Sequence, residues 1–464
     1  MHTPTPEVTV TSGENKAPPH GSVAKSLRLK PWIKAHPTPV LLINAKVVNP
    51  RDGTIIHDAK VLVRDGNIEE VVAGQASFKC NTSRLREVDM KGMYICPGLV
   101  DCHVHVMAVP GVKSLGQIGL LPEQVVDLRS TYVLKDMLSR GFTTVRDTGG
   151  ANAILAQSIE EGLVIGPRLI QCGQALSQTG GHGDMRPPWD TTTQTCCGGH
   201  QRGIAVTCDG VPQVLTAVRD EIRKGANFIK VMCGGGVASP TDLLESIQFT
   251  AEEIQAITTT CRQMGGIHST AHAYSVEAIR HAIDNGILGI EHGNFIDAPT
   301  ARLMAAKNIF LTPTLSCYEI MVRPPFEDSL PPSGKKKNAE VIRSGLEAIQ
   351  IAEQEGVTVC YGSDLLLSMH ALQTEEFSVR ARVLPSPTIL KHATTNAARL
   401  LRLEGKIGEI REGAFADLIV LNKNPLDDIT ILDNPEEHLY AVMKGGRVHF
   451  SRFEHLVVDQ DTWP

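Results

Sequence analysis

The stretch Cys96-Pro-Gly-Leu-Val-Asp-Cys-His-Val-His105 decides how the rest of the chain is read. Its apolar, β-prone residues predict a strand, on which side chains alternate faces with a period of two. His103 and His105 therefore share one face, while Cys102 and Val104 take the other. Two imidazoles side by side on a strand can grip one metal ion. A half-exposed strand carrying two polar side chains would look the same, so the weight rests on what recurs downstream.

Working outward, a strand–loop–helix rhythm continues through 142–148, 168–173, 228–233, 266–273, 288–293, 309–315 and 357–364. With 95–106 that makes eight candidate strands, most followed by helix-like segments such as 211–225, 250–265 and 275–286. Alternation of this kind predicts an α/β fold, a closed (β/α)8 TIM barrel over 95–404. A doubly wound open sheet is the alternative, but no GxGxxG follows a first strand. Gly234-Gly-Gly236 lets the backbone approach something closely and is a weak signal for a phosphate cradle.

On either side of the barrel lie short alternating runs: LLINAKVVNP and KVLVRDGNIEEVVAG before it, KIGEIREGAFADLIVLNKNP and YAVMKGGRVHF after it. Turns at Arg51-Asp-Gly53 and Arg64-Asp-Gly-Asn67 separate the first set. Isolated hairpins are marginal in water. Segments 40–94 and 405–455 are therefore expected to pair into one small β-sandwich domain. Residues 1–39, rich in Pro, Thr, Ser and Lys, read as a disordered or surface-draped tail without the apolar core of a signal peptide.

Composition narrows the partners. The 464 residues are 42% hydrophobic, with a net charge of −6 and no basic stripe, which argues against nucleic acid and anionic membrane surfaces. No apolar run approaches the roughly 18 residues needed to span a bilayer. Eleven scattered cysteines without a CxxC pair fit reduced thiols, so the cytoplasm is the expected compartment.

Chemistry in such barrels sits at the C-terminal ends of the strands. Those ends carry His103 and His105 (first strand), Lys230 (fourth), His272 (fifth), His292 (sixth) and Asp364 (eighth). Singly each has an ordinary explanation: a snorkelling lysine, a satisfied core histidine, a helix N-cap. All six at corresponding strand ends point to a metal site.

The segments CPGLVDCHVH, GFTTVRDTGG, KVMCGGG, TAHAYSVEAIRHAIDNGILGIEHG and YGSDLL resemble the amidohydrolase superfamily, as does the closing EGAFADLIVLNKNPL. The resemblance spans about 40–450 and is strongest to the imidazolonepropionase-like branch, which includes Xaa-Pro and other carboxydipeptidases. It implies two divalent metal ions, usually zinc. His103, His105 and Asp364 would hold one, His272 and His292 the other, and Lys230 would bridge them as a carbamate formed with carbon dioxide. It further implies a water activated between the metals, Asp364 as the group that moves its proton, a small-molecule amide or dipeptide substrate, and a homo-oligomer such as an octamer. An inactive scaffold of the same fold would have lost ligands; here all six are present.

For substrate contacts the sequence offers His182, in the QTGGHGD loop, and Tyr274, two residues past His272. Either could instead be a loop-stabilising imidazole or an ordinary aromatic at a helix start. The Pro-rich segment 321–335 reads as a lid. Arg323 or Arg186 could pair with a substrate carboxylate, or be solvated surface charges. Cys102 faces away from the histidines, His268 lies a strand repeat deeper and is expected in the core, and Cys196-Cys197 has the wrong spacing to chelate one ion.

Overall fold

A computed structural model of the chain describes residues 30, 32–33, 37–79, 85–186, 189, 203–239, 241–330 and 332–459. Most of the expected tail and the Cys196-Cys197 pair lie outside them.

Alternation in the N-terminal segment becomes a run of strands: β1 (Val40–Asn49), β2 (Thr54–Arg64), β3 (Asn67–Ala73), β4 (Arg86–Asp89) and β5 (Tyr94–Pro97). The turns before Thr54 and Asn67 fall where the Asp-Gly pairs stand. At the other end come β16 (Leu418–Leu421), β17 (Leu439–Lys444) and β18 (Arg447–Ser451). The two sets join in one eight-stranded sheet of order β18-β17-β16-β5-β1-β2-β3, with β4 beside β1. The seam is β5 against β16, antiparallel from Leu418↔Pro97 to Leu421↔Tyr94. Val47, Ile95, Leu418, Val420 and Met443 bury their side chains together over this sheet.

Between these ends lie the ten strands of the α/β region: β6 (Leu99–Val104), β7 (Phe142–Asp147), β8 (Arg168–Gln171), β9 (Ala175–Ser177), β10 (Ala205–Thr207), β11 (Phe228–Met232), β12 (His268–Ala273), β13 (Gly289–His292), β14 (Phe310–Thr312) and β15 (Thr358–Val359). All pairs among them are parallel, in two arcs: β6-β7-β8, and β10-β9-β11-β12-β13-β14-β15. Backbone bonds tie the arcs together. Cys102 N–H donates to Tyr361 C=O at 2.8 Å, Asp364 N–H to His103 C=O at 2.8 Å, and Asn227 N–H to Gln171 C=O at 2.8 Å. Every residue of β6, β7, β11, β12 and β13 is buried, as strands covered on both faces must be.

Crossover helices follow most strands: α1 (Glu123–Ser139), α2 (Ala153–Glu160), α3 (Gly210–Arg223), α4 (Ala251–Gln263), α5 (Val276–Asp284), α6 (Ala298–Ala306), then α7 (Ser316–Ile320) and α8 (Pro332–Gln354). Thr250 and Glu253 form a reciprocal capping box that fixes the start of α4. Ser275 caps α5 through the amide of Ala278, so strand β12 passes to helix within two residues and holds His272 and Tyr274 on a short, stiff joint. No helix among the described residues is long and apolar enough to cross a membrane.

Two expectations change. The first barrel strand begins at Leu99, because Cys96 and Pro97 belong to β5 and the other sheet. Gly98 is the hinge: a Cβ there would lie 2.1 Å from Thr143 Oγ1, so only glycine lets the chain cross so close to β7. The lid is also shorter than its composition suggested. Turns run from Met321 to Leu330, and Lys335 is already inside α8.

Candidate functional site

Four imidazoles converge where the parallel strands end. Ring centroids lie 5.3 Å apart for His103 and His105, 4.9 Å for His103 and His292, and 4.5 Å for His272 and His292. Strand register explains the level: Met232 stands opposite His272, and Ala273 opposite His292. Asp364 enters from the turn after β15, with Oδ1 3.4 Å from Nε2 of both His103 and His105 and Oδ2 4.0 Å from His292 Nδ1. His103, His292 and Asp364 each offer one ligand atom, all within 4.8 Å of one another, the one such group among the described residues. Both His292 (φ 73°) and Asp364 (φ 51°) use left-handed backbone, which turns their side chains inward.

Each histidine has its outer nitrogen tied to the protein. His103 Nδ1 meets Glu291 Oε2 at 2.8 Å, and His105 Nδ1 meets Gly149 C=O at 3.1 Å. His272 Nε2 lies 3.0 Å from Gly235 C=O, and His292 Nδ1 lies 2.8 Å from Thr314 Oγ1. An acceptor on one nitrogen fixes the tautomer and turns the other toward the centre as a lone-pair donor, the arrangement that suits metal ligation. The donor set of imidazoles and one carboxylate fits a divalent ion such as zinc.

Electrostatics agree. Burial, foremost, pushes His272 and His292 well below their ordinary range, which favours the neutral imidazole whose lone pair a metal needs. Burial alone would raise Asp364, but His103, His105 and His292 outweigh it and hold the carboxyl well below the usual range. Lys230 is the outlier. It is 1% exposed, makes no hydrogen bond or ion pair among the described residues, and burial lowers its pKa. A buried ammonium with no hydrogen-bonded counter-ion is costly unless the group is neutral or modified.

Sequence reasoning missed the groups behind these ligands. Glu291 is fully buried and accepts from Thr270 Oγ1 at 2.5 Å, from Arg146 Nη2 and from His103. Burial would raise its pKa, yet Arg146 and His103 hold it well down. Asp101 braces the first strand, accepting from the amide of His103 at 3.0 Å, from Ser363 Oγ at 2.6 Å and from Gln373 Nε2 at 2.9 Å. The acid and arginine were visible in GIEHG and TTVRDT, but no spacing rule singles them out.

The proposed substrate contacts sit at the mouth. His182 stacks on His272 with centroids 4.1 Å apart, and burial brings its pKa down to about 4. Its Nδ1 lies 2.8 Å from Ser239 Oγ, leaving Nε2 on the other side of the ring. Tyr274 stacks on His292 at 5.1 Å, and its hydroxyl lies 2.8 Å from that of Tyr318, itself 3.1 Å from His292 Nδ1. His182, Tyr274, His105, His272 and Asp364 line a small cavity of about 50 Å³. It opens into a second of about 370 Å³, and the two share Leu115, Met185, Ala238, Met321 and Leu366. A cavity of about 790 Å³ lies elsewhere, beside β8 and β18, and holds none of the six strand-end residues. Arg323 is paired with Glu375, and Arg186 with Asp184 at 2.6 Å. Cys102 packs away from the site with Val100 and Cys360, and His268 is buried against Phe310.

Comparison with known proteins identifies the family. The amidohydrolase family model matches residues 94–448. Ochratoxinase from Aspergillus niger is 31% identical over 438 residues, covering 92% of this chain and 90% of its own. Its crystal structure superposes with a TM-score of 0.78 at 28% identity, covering 90% and 96%. A prolidase solved with N-methylphosphonate-L-proline gives a TM-score of 0.85 at 39% identity, covering 90% of this chain and all, 100%, of the other. An imidazolonepropionase from Thermoplasma acidophilum is 23% identical, covering 88% and 93%. The chain belongs to the amidohydrolase family and is a hydrolase of amide bonds.

Proposed function

We propose that this protein is a binuclear-metal amidohydrolase that cleaves an amide or peptide bond and releases a C-terminal amino acid, as a dipeptidase or N-acyl amino acid hydrolase. The observation that carries it is Lys230: a buried lysine with no hydrogen bond or ion pair among the described residues, on the strand beside His272, within the electrostatic reach of Asp364 and Glu291. Carbamylation would replace a costly buried cation by two carboxylate-like oxygens suited to bridging two ions. In this reading the two arcs of parallel strands act as one closed (β/α)8 barrel from Leu99 to about 404, and 40–97 with 405–455 form a separate β-sandwich. The protein is cytoplasmic and assembles as a homo-oligomer.

His103, His105 and Asp364 would hold one ion, His272 and His292 the other. Bound zinc ions would supply Lewis acidity, lowering the pKa of water toward ~7 and polarising the substrate carbonyl. The chain's own residues do the rest. Asp364, held ionised by the histidines around it, can accept the proton of the attacking water. It can then deliver that proton to the leaving nitrogen, which departs poorly as an anion. His182 Nε2 and the Tyr274 hydroxyl orient the scissile group from the cavity mouth. The adjoining cavity is walled by Leu115, Met185, Met321, Leu366 and Met369, so the substrate places an uncharged apolar group there.

The test is a panel of Xaa-Pro dipeptides, N-acyl amino acids and ochratoxin A, run with zinc-loaded protein. Free amino acid should appear from at least one class, and faster when the acyl side is bulky and apolar. Turnover confined to lactones or esters, with no amide cleaved, would overturn the reading.

A further inference from the structure

The turns from Met321 to Leu330 lead into α8, and that helix carries a lysine with an unusual setting. Lys337, in the opening turns of α8, is only 11% exposed at its side chain. Its ammonium donates to Gly236 C=O at 2.8 Å, to Ser239 C=O at 3.1 Å and to Asp242 Oδ1 at 3.2 Å. All three of its N–H donors are thereby used. A cation near a helix N-terminus gains nothing from the macrodipole, so the helix itself does not account for it.

The three acceptors lie in the loop after β11, and that same loop seats His182. Ser239 Oγ meets His182 Nδ1 at 2.8 Å and donates to Asp242. Asp242 in turn accepts from the amide of Gly236 at 3.0 Å and from Gln248 Nε2 at 3.1 Å. Gln248 Oε1 accepts from the amide of His182 at 2.9 Å. Gly236 lies directly against the imidazole, for a Cβ there would come 2.0 Å from its Cε1. The ring is thus held between the loop backbone on one side and His272 on the other.

We propose that Lys337 is a positioning residue: by binding Gly236, Ser239 and Asp242 together it makes the seating of α8 and the seating of His182 a single event. Without the Lys337 ammonium, the loop loses its cationic tie to α8 and His182 loses its alignment toward the substrate. Substrate orientation is complete only with the helix in place. This rests on the amide-hydrolase reading for its kinetic consequence, but the mechanical coupling stands without it.

Hydrogen exchange reads the coupling without any substrate. In full-length Lys337→Met, amides of 234–242 and of 178–186 should both exchange faster than in the wild type, while 99–104 stays unchanged. Faster exchange in 234–242 alone would overturn the link to His182. On a cleaved amide, Lys337→Met should lower kcat/KM by roughly 10–100-fold, the scale of a small misplacement transmitted from a distance, with metal content unaltered. Introduced into His182→Ala, the same change should cost less than about twofold if it acts through that ring. Losses that multiply in the double variant would overturn the proposal. Lys337→Gln, a milder change, should show the same pattern at smaller amplitude should the Met variant prove insoluble. Failure of every amide in the panel, with the coupled exchange still seen, would refute the amide-hydrolase reading and leave the coupling standing.

Discussion

At Lys230 the cost of burial becomes a testable prediction. On the proposed reading Lys230→Ala removes the side chain that, as a carbamate, would bridge the two ions, so metal content should fall by at least one ion per chain and activity should vanish. Short carboxylic acids with zinc should restore part of both, since they return the missing oxygens; elemental analysis and turnover read the result. Retained metal and wild-type turnover would exclude a bridging lysine. Asp364 gives a second residue-level expectation. Asn keeps the volume and one ligating oxygen but cannot carry a proton, so Asp364→Asn should keep much of its metal and lose ~10²–10⁴-fold in turnover of amides. Activated esters, whose leaving groups depart unprotonated, should lose less; an equal loss for both would remove Asp364 from leaving-group protonation. Behind the ligands, Glu291→Gln gives the His103 Nδ1–H a weaker acceptor to donate to and should weaken metal binding by about 10–100-fold, measured by chelator competition.

Among the elements, strand β13 shows both the power and the limit of sequence periodicity. The strand-end rule found His292, but alternation would send Glu291 to the opposite face from it. In the structure both reach His103, because the left-handed backbone at His292 breaks the alternation at the last residue of the strand. Propensity does not show such a turn for a histidine. Likewise the eight buried strands were legible from their apolar runs, whereas β9 and β10, three residues each and made of Ala, Leu, Ser, Val and Thr, left no periodic signal. His103 and His105 could be paired from spacing and face alone, and Asp364 joined them through the strand-end rule and the family resemblance; the loop that seats His182 could not be read, because its bonds run between segments 57 to 101 residues apart.

Buried neutral histidines in these elements also set an acid limit. Burial brings His268 in β12 and His370, in the short 3-10 segment Leu367–Leu372 that follows Asp364, down to about 3. A histidine whose folded pKa lies below its unfolded value of about 6.5 favours the fold above that value. This contribution is lost as pH falls from about 6.5 toward 3. At pH 5 each such group removes about 2 kcal/mol of stability relative to neutral pH. Denaturant midpoints should therefore drop between pH 7 and 5, and His268→Gln should fall less steeply. A pH-independent midpoint across that range would contradict the burial.

For the whole molecule, the sheet built from both ends of the chain ties the termini to one structure. Deleting 406–464 removes β16, whose four residues are all buried, and strips β5 of its antiparallel partner. The truncated chain should aggregate on expression, as size-exclusion chromatography would show; a soluble, active truncation would mean the terminal strands are dispensable.

The seam between β5 and β16 has a consequence for biosynthesis. Pro97 pairs with Leu418, so a strand made early waits for one made more than 300 residues later. At roughly 5–20 residues per second, that interval is on the order of 15–65 s. Throughout it the β5 edge of the nascent sheet is open, with its amides and carbonyls unmatched, while the segments that carry the histidines are still leaving the ribosome. An unpaired edge is a template for the wrong strand. Yield in a heterologous host should thus depend on slowed synthesis and on chaperones that shield nascent edges, more than on the stability of the finished protein.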